Sequence, residues 1–283
     1  MTDFKEIKEM DIISATKIGT GIQVAFGILF AVVLLIFGGI IGGMGVVSGL
    51  LSIACTIVFG SLIYYIFAMF TQSYLYNILI KYLTPISVKI KDNEILEEVS
   101  VMSTAIIAGL VTLILAILLY LASIFIIPML FTSIIQTLMF SEQMALAFTL
   151  YQFLSYYTNP LIIIMILLVL YISVFIGTAI SIYLYNVLSK KINPIKFKLS
   201  QEGDLTSIDY INPINLAIIS GVISLIVNVI FGIILALITG EFVQIAVNGV
   251  TGFVSGIVTA ALVAIFYNVL SKYLGTLKIK LNN

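Results

Sequence analysis

A short segment that occurs three times in this 283-residue chain constrains the fold more than any other feature. The copies read YNILIKYLTPISVKI from Tyr76, YNVLSKKINPIKFKL from Tyr185 and YNVLSKYLGTLKIKL from Tyr267, and each ends a long apolar stretch. Such recurrence indicates one structural unit used three times. We therefore expect three repeats, at residues 1–92, 93–201 and 202–283. They share a structural or partner-binding motif made of Tyr76, Asn77, Lys81, Lys89, Tyr185, Asn186, Lys190, Lys198, Tyr267, Asn268, Lys272 and Lys280.

Composition places these repeats in a membrane. Hydrophobic residues make up 61% of the chain and charged residues 9%, whereas an average soluble domain is roughly 25% charged. A helix needs about 20 apolar residues to cross roughly 30 Å of hydrocarbon. The sequence therefore predicts an all-α polytopic membrane protein with two transmembrane helices in each repeat. The six predicted spans are residues 17–41, 46–80, 103–130, 160–188, 213–238 and 242–270.

The distribution of lysines predicts the topology. All 13 basic residues are lysines, and they lie before the first span, between the second and third, between the fourth and fifth, and after the sixth. Because positive charge accumulates on the cytoplasmic side, we expect a cell-membrane protein with both termini in the cytoplasm. The first residues mix acids with lysines and contain no cleavage site, so we expect no signal peptide.

Short strands are predicted on the cytoplasmic side. After each YN motif comes a tail in which apolar and polar residues alternate, at residues 86–91, 195–200 and 277–282, and this period of two indicates a strand. Before each odd-numbered span comes an arm with apolar residues at 4, 7 and 10, at 96, 99 and 102, and at 205, 208 and 211, followed by the helix-capping residues Asp11, Ser103 and Asn212. We expect arms and tails to form a small sheet. Alternatively, each tail lies alone with its lysines toward acidic lipid headgroups.

The middle repeat carries an external insertion at residues 131–159. It contains one charged residue, Glu142, and an aromatic cluster of Phe148, Tyr151, Phe153, Tyr156 and Tyr157. One interpretation is a re-entrant or surface-lying helix that covers a cavity or meets an external partner. The other is an interfacial hairpin with an aromatic belt.

Side chains suited to catalysis are scarce. The chain has no His, no Arg, a single Cys55 and no glycine-rich phosphate loop, and its acids lie outside the predicted spans. General acid–base catalysis and zinc sites both depend on such side chains, and ion-coupled transporters usually carry ionisable groups at membrane depth. We therefore expect no enzyme, no catalytic residue, no metal or cofactor, and no nucleic-acid partner.

Polar and small residues inside the spans have mostly structural interpretations. Gly252 and Gly256 have the spacing that allows close helix packing. The Asn of each YN motif is expected to bond to carbonyls near the end of its own helix. Four amides are candidates for a polar path, or alternatively bond to a neighbouring helix: Gln23, Asn228, Gln244 and Asn248.

The YN motif, closing a span and running into a short strand, resembles a two-span transmembrane domain family of unknown function found in actinobacterial and archaeal membrane proteins. In that family a Gly-Gly-Ile-like turn lies between YN and the strand. The third copy is the most similar, with Gly275 and Thr276 at the turn, where the others have Thr84 with Pro85 and Asn193 with Pro194. The resemblance implies three tandem domains and no known reaction. An arginine-free chain rich in Ile and Lys also suggests an archaeal source.

Two functions from different classes remain. The first is a non-catalytic scaffold or subunit of a membrane complex, which contacts the lipid bilayer and binds a protein partner or a second copy of itself at its cytoplasmic face. The second is a pore or facilitator for a small solute, formed by three pseudo-symmetric two-span units. The regular cytoplasmic face and the nearly apolar spans favour the first.

Overall fold

The computed structural model describes residues 4–192 and 194–282, so Asn193, expected in the second turn, lies outside the described residues. In these ranges strands and helices follow one another in a recurring pattern of strand, helices and strand. The elements are β1 (Phe4–Met10), α1 (Ile12–Leu79), β2 (Ser87–Lys91), β3 (Ile95–Val99), α2 (Val101–Ser123), α3 (Ile126–Phe140), α4 (Met144–Thr158), α5 (Pro160–Leu188), β4 (Ile195–Glu202), β5 (Leu205–Ile211), α6 (Pro213–Thr239), α7 (Val243–Leu274) and β6 (Leu277–Leu281).

Six helical segments of the described chain are long and apolar enough to cross a membrane, which confirms the prediction of a multi-pass membrane protein. Two of them belong to α1, which turns at Gly43 (φ 65°) into a first span, Ile12–Gly43, and a second span, Gly45–Leu79. The others are α2, α5, α6 and α7. The positive φ at this turn is a conformation that glycine adopts without steric penalty.

The third span is shorter than predicted. We expected it to continue to residue 130, but α2 ends at Ser123 and α3 begins at Ile126. Pro128 explains the break, because a proline inside a continuous helix removes a backbone hydrogen bond and its ring clashes with the preceding turn. Near the start of α3 the same proline is tolerated.

The chain divides into two compact units. One comprises the residues up to Thr104 together with those from Ala179 onward, and the other comprises Ala105–Thr178. The first unit contains all the strands, α1, α6 and α7. The second contains α3, α4 and most of α2 and α5. The division into three repeats along the sequence stays a prediction.

The strands form a closed barrel in the order β1-β2-β3-β4-β5-β6, and β6 pairs with β1 to complete the ring. Neighbouring strands are antiparallel throughout. Arms (β1, β3, β5) therefore alternate with tails (β2, β4, β6), and each tail pairs with the arm of its own repeat and with the next arm. The predicted sheet exists, and closure leaves it without the free edges that invite aggregation.

The strand register shows that the apolar residues of the alternating tails lie on one covered face of the sheet. Apolar tail residues lie opposite apolar arm residues, as in the pairs Ile90–Leu96 and Met10–Ile279. Residues directly opposite in antiparallel strands point to the same face of the sheet. Ile90 and Ile279 are buried, so the apolar face is the covered one.

The arm of the second repeat differs from the prediction. We expected apolar residues at 96, 99 and 102 and a cap at Ser103, but β3 ends at Val99 and α2 begins at Val101, which places Ser103 inside the helix. The junction residue is Ser100, whose hydroxyl accepts a hydrogen bond from the Ser87 amide (3.0 Å). Because the pattern of apolar residues repeats every three positions, it also fits three residues further along the chain. The prediction therefore placed this arm and its cap three residues too late.

The two other predicted caps are confirmed. The Asp11 carboxylate accepts a hydrogen bond from the amide of Ser14 at 2.8 Å. Asn212 accepts from the amides of Ile214 and Asn215, at 3.0 and 3.2 Å, and Pro213 begins α6. Both residues therefore start a helix directly after an arm strand.

Glycines allow α6 and α7 to pack closely. A Cβ at Gly252 would lie 2.5 Å from the Asn228 side chain, and one at Gly256 would lie 2.6 Å from Ser224. Distances this short mean that only hydrogen fits at these positions. The predicted packing role of Gly252 and Gly256 is confirmed.

The insertion of the middle repeat is a pair of short helices, α3 and α4, joined at Glu142, which has a positive φ of 61°. Phe131 stacks on Phe153, with ring centroids 5.2 Å apart, and Phe153 stacks on Tyr157. Tyr157 also contacts Tyr120 of α2. Phe153 and Tyr157 of the aromatic cluster therefore pack against α3 and α2, whereas Phe148, Tyr151 and Tyr156 are exposed. The position of the hairpin relative to a lipid surface stays a prediction.

Candidate functional site

The three YN asparagines clamp the three arms to the ends of the helices. The Asn77 side chain accepts a hydrogen bond from the Met10 amide and donates one to the Met10 carbonyl, both at 2.8 Å. Asn186 makes the same pair of bonds with Val99, at 2.9 and 2.7 Å, and Asn268 does so with Ile211 at the same distances. Only an amide side chain offers both a donor and an acceptor in this geometry.

The adjoining tyrosines join each arm to the tail of its own repeat. The Tyr76 hydroxyl donates to the Ile7 carbonyl at 2.8 Å, while Tyr185 and Tyr267 donate to the carbonyls of Leu96 and Ile208. The same hydroxyls accept from the first residue of the tail, Ile195 for Tyr185 (3.4 Å) and Leu277 for Tyr267 (3.1 Å). All three tyrosines are less than 7% exposed.

These bonds correct the expected role of the YN motif. We expected each Asn to bond to carbonyls at the end of its own helix, but the side chains bind the backbone of an arm strand far away in sequence. In each repeat the Tyr partner lies three residues before the Asn partner. The motif is therefore a clamp that fixes a strand beneath a helix end.

The motif lysines have two environments. Lys89 forms an ion pair with Glu97 (3.2 Å) and Lys190 with Glu98 (2.5 Å). The hydrogen bond from Lys190 holds the pKa of Glu98 below its ordinary value of 4.5. The remaining motif lysines are exposed: Lys81, Lys198, Lys272 and Lys280.

Residues outside the motif complete the barrel. The Ser14 hydroxyl accepts from the Lys278 amide (3.1 Å), and the Asn215 amide donates to the Pro194 carbonyl (3.0 Å). Ser14 and Asn215 each lie three residues after the cap of their repeat, so this offset was a usable signal in the sequence. Ser189 donates to the Glu97 carbonyl (2.8 Å), and Ser271 shares its position three residues after the Asn of the YN motif, so the repeated segment marked it in the sequence.

The ladder between β3 and β4 is short, and a cleft lies beside it. Two residue pairs join these strands, Ile95–Lys196 and Leu96–Ile195, whereas six pairs join β4 and β5. The cleft has a volume of about 320 Å³. Its lining combines two lysines with an acid and apolar groups: Lys91, Ile95, Glu97, Ser189, Lys190 and Pro194.

The four candidate polar-path residues lie on two parts of the first unit. Gln23 lies on the first span, whereas Asn228, Gln244 and Asn248 lie on α6 and α7. Asn228 donates to the Ser224 carbonyl of its own helix at 2.8 Å. Gln244 is exposed at the start of α7, where its amide approaches Glu241 at 3.5 Å. The polar path stays a prediction.

The clamp hydroxyls and amides are already bonded to backbone groups, and within residues 4–192 and 194–282 no group of three or more His, Cys, Asp or Glu side chains is placed to hold a metal ion. The exposed lysines and the cleft beside β3 are accessible to a partner.

No family model, curated protein or solved structure matches this chain.

Proposed function

We propose that this protein is a non-catalytic scaffold or subunit of a membrane complex, in which the barrel is a rigid cytoplasmic platform for a protein partner. The observation that carries this proposal is ring closure, because each strand of the barrel pairs with two neighbours. A partner cannot add a strand to a closed sheet, so it must recognise side chains. Positive-inside topology supports a cytoplasmic position for this platform in the cell membrane.

The family resemblance supports the same proposal. Its characteristic segment, the YN motif with the following turn and strand, coincides with the clamp that fixes each tail. The motif thus has an architectural use in each of three copies, which is what a repeated platform requires.

The cleft beside β3 is the docking site that this platform offers. It interrupts the regular ring at the shortest ladder, and its lining combines the exposed Lys91 and Lys190 with the half-buried Ile95 and Pro194. A combination of apolar and exposed charged groups is typical of protein interfaces. We propose an acidic segment of the partner as its occupant, because the Lys91 ammonium lies outside the ion pairs that hold Lys89 and Lys190 and attracts carboxylates.

Deletion of the last tail is an ambiguous test of the scaffold. Removing residues 277–283 opens the ring between β5 and β1, so it destroys the platform together with any docking surface. Single exposed lysines allow a cleaner experiment, because their side chains are outside the clamps.

The experiment is a mild-detergent purification of the tagged protein from its own host, with quantitative mass spectrometry of the bound proteins. We expect a stoichiometric partner with the wild type and with Lys198→Glu, and its loss with Lys91→Glu. Lys198 is a matched control because it is an exposed barrel lysine outside the cleft. Recovery of the protein alone, together with solute flux through proteoliposomes, would overturn the proposal in favour of the pore.

A further inference from the structure

A second concave site lies among the membrane helices of the first unit. It is a groove of about 420 Å³ between the first span, the second span and α7, with walls that include Val24, Leu62 and Leu270. Binding sites for small molecules have volumes of about 300–1,000 Å³. From Thr16 to Ile28 the groove follows the first span for about 18 Å, at roughly 1.5 Å per residue. That length is close to one leaflet of a hydrocarbon core about 30 Å thick.

Two hydroxyl groups in this apolar groove have no hydrogen-bond partner within the described residues. They belong to Thr16 and Thr20, which line the groove one helical turn apart, and Thr20 is only 5% exposed. Several other threonines on the spans bond to a carbonyl of their own helix, as Thr56 does to Ser52. A buried hydroxyl without a partner is unfavourable, so a ligand with acceptor oxygens in the groove would stabilise a rotation of the Thr16 or Thr20 side chain toward it.

The first repeat departs from the other two at these same positions. When the repeats are aligned on Asp11, Ser100 and Asn212, Thr16 corresponds to Ala105 and Ala217, Lys17 to Ile106 and Ile218, and Thr20 to Gly109 and Gly221. In the other repeats the glycine is covered by a large side chain. A Cβ there would lie 3.0 Å from Tyr171 at Gly109 and 2.4 Å from Ile257 at Gly221. The first repeat has polar groups where the others have a close helix contact.

We propose that this groove binds one anionic phospholipid of the surrounding membrane. An alkyl chain fills the apolar part, the Thr16 and Thr20 hydroxyls turn from their buried positions to donate to glycerol oxygens, and the Lys17 ammonium binds the phosphate. Lys17 lies about 8 Å along the helix from Ile12, at roughly 1.5 Å per residue, and is exposed. A lysine at this depth extends its ammonium to the headgroup level, with its methylene stem against apolar surface.

The charge of Lys17 sets the expected selectivity. A zwitterionic phospholipid has the same chains and glycerol oxygens but a neutral headgroup, so it makes every proposed contact except the net attraction between Lys17 and an anionic lipid. We therefore expect the groove to prefer phosphatidylglycerol to phosphatidylcholine.

The test is native mass spectrometry of the full-length protein, reconstituted with equal amounts of phosphatidylglycerol and phosphatidylcholine and then delipidated in detergent. We expect one retained phosphatidylglycerol per protein. Lys17→Gln is expected to reduce this retention about fivefold, the factor typical of one lysine at an anionic lipid surface. Lys81→Gln, which removes an exposed lysine outside the groove, is expected to leave retention unchanged.

Two further variants test the groove itself. The double substitution Thr16→Val with Thr20→Val keeps the shape and removes the donors, and Ala25→Leu fills the apolar part. Both are expected to lower retention of either lipid, with the thermal midpoint of each variant measured to confirm folding. Equal retention of the two lipids by the wild type, or equal behaviour of Lys17→Gln and Lys81→Gln, would overturn the proposal.

Discussion

In the barrel the three repeats make the same hydrogen bonds at the same offsets, whereas in the membrane each repeat arranges its helices differently. Asn77, Asn186 and Asn268 each hold both backbone groups of one arm residue. Within the spans, the first repeat has an apolar groove, the second carries the α3–α4 hairpin and the third packs α6 on α7 through glycines. Hydrogen bonds require particular side chains at particular positions, while apolar contacts accept many combinations of size.

This difference teaches where the protein tolerates change. A clamp has one chemical solution, so it is kept in all three copies, and the barrel keeps its threefold regularity. Helix packing in lipid depends on van der Waals fit and small residues, so each pair of spans can diverge without breaking the ring beneath it.

The largest effect is expected from replacing a clamp asparagine. Asn268→Leu leaves the Ile211 amide and carbonyl without partners, and each unsatisfied group costs about 1–3 kcal/mol. We therefore expect a loss of about 2–6 kcal/mol in barrel stability, measured by hydrogen exchange of residues 205–211 and by denaturation in detergent. Asn282→Leu is the control, since Asn282 is exposed.

Asn77→Leu and Asn186→Leu test whether the three clamps contribute equally to barrel stability. If the repeats are equivalent in the barrel, the three variants will lose similar stability. A large loss of stability at one position with none at the others would show that the three clamps share their geometry but not their contribution to stability.

The barrel was predictable in its parts and not in its closure. Alternation in residues 86–91, 195–200 and 277–282 predicted the tails, and Asp11 and Asn212 marked two helix starts. The pairing of β6 with β1 joins the two ends of the chain, and no local pattern encodes such a contact. The first-repeat groove was also invisible, because Thr16 and Thr20 are ordinary helix residues until their burial is known.

A smaller loss is expected from removing a clamp hydroxyl. Tyr185→Phe leaves the Leu96 carbonyl and the Ile195 amide without their shared partner. The Ile195 contact is long, at 3.4 Å, so the expected loss is close to that of one unsatisfied group, about 1–3 kcal/mol, measured by the same denaturation assay. Tyr183→Phe is the matched control, because Tyr183 lies two residues earlier on α5 and is exposed. Equal stability of the two variants would contradict a clamp at Tyr185.

A change within the spans is expected to leave the barrel intact. Gly256→Ala places a Cβ 2.6 Å from the Ser224 side chain and 3.0 Å from the Ser220 carbonyl, and overpacking of this kind costs about 1–3 kcal/mol. Gly60→Ala is the control, since a Cβ there meets nothing within 4 Å. Hydrogen exchange is expected to increase in α6 and α7 for Gly256→Ala and to stay unchanged in residues 205–211. A matching increase in the barrel would show that the two regions are coupled.

The smallest effect is expected from pH, and it concerns the barrel alone. Because the Lys190 hydrogen bond lowers the pKa of Glu98, this ion pair stabilises the fold above pH 4.5 and stops doing so as the pH falls through the lowered pKa. For a pair at the surface the contribution is below about 1 kcal/mol. Glu98→Gln is expected to reduce the acid sensitivity of the thermal midpoint, whereas Glu94→Gln, at the neighbouring exposed turn, is not. Hydrogen exchange in β3 is the region-specific measurement, because α6 and α7 contain no partner of this pair among the described residues. An acid response in those helices and not in β3 would place the pH-sensitive group outside the barrel.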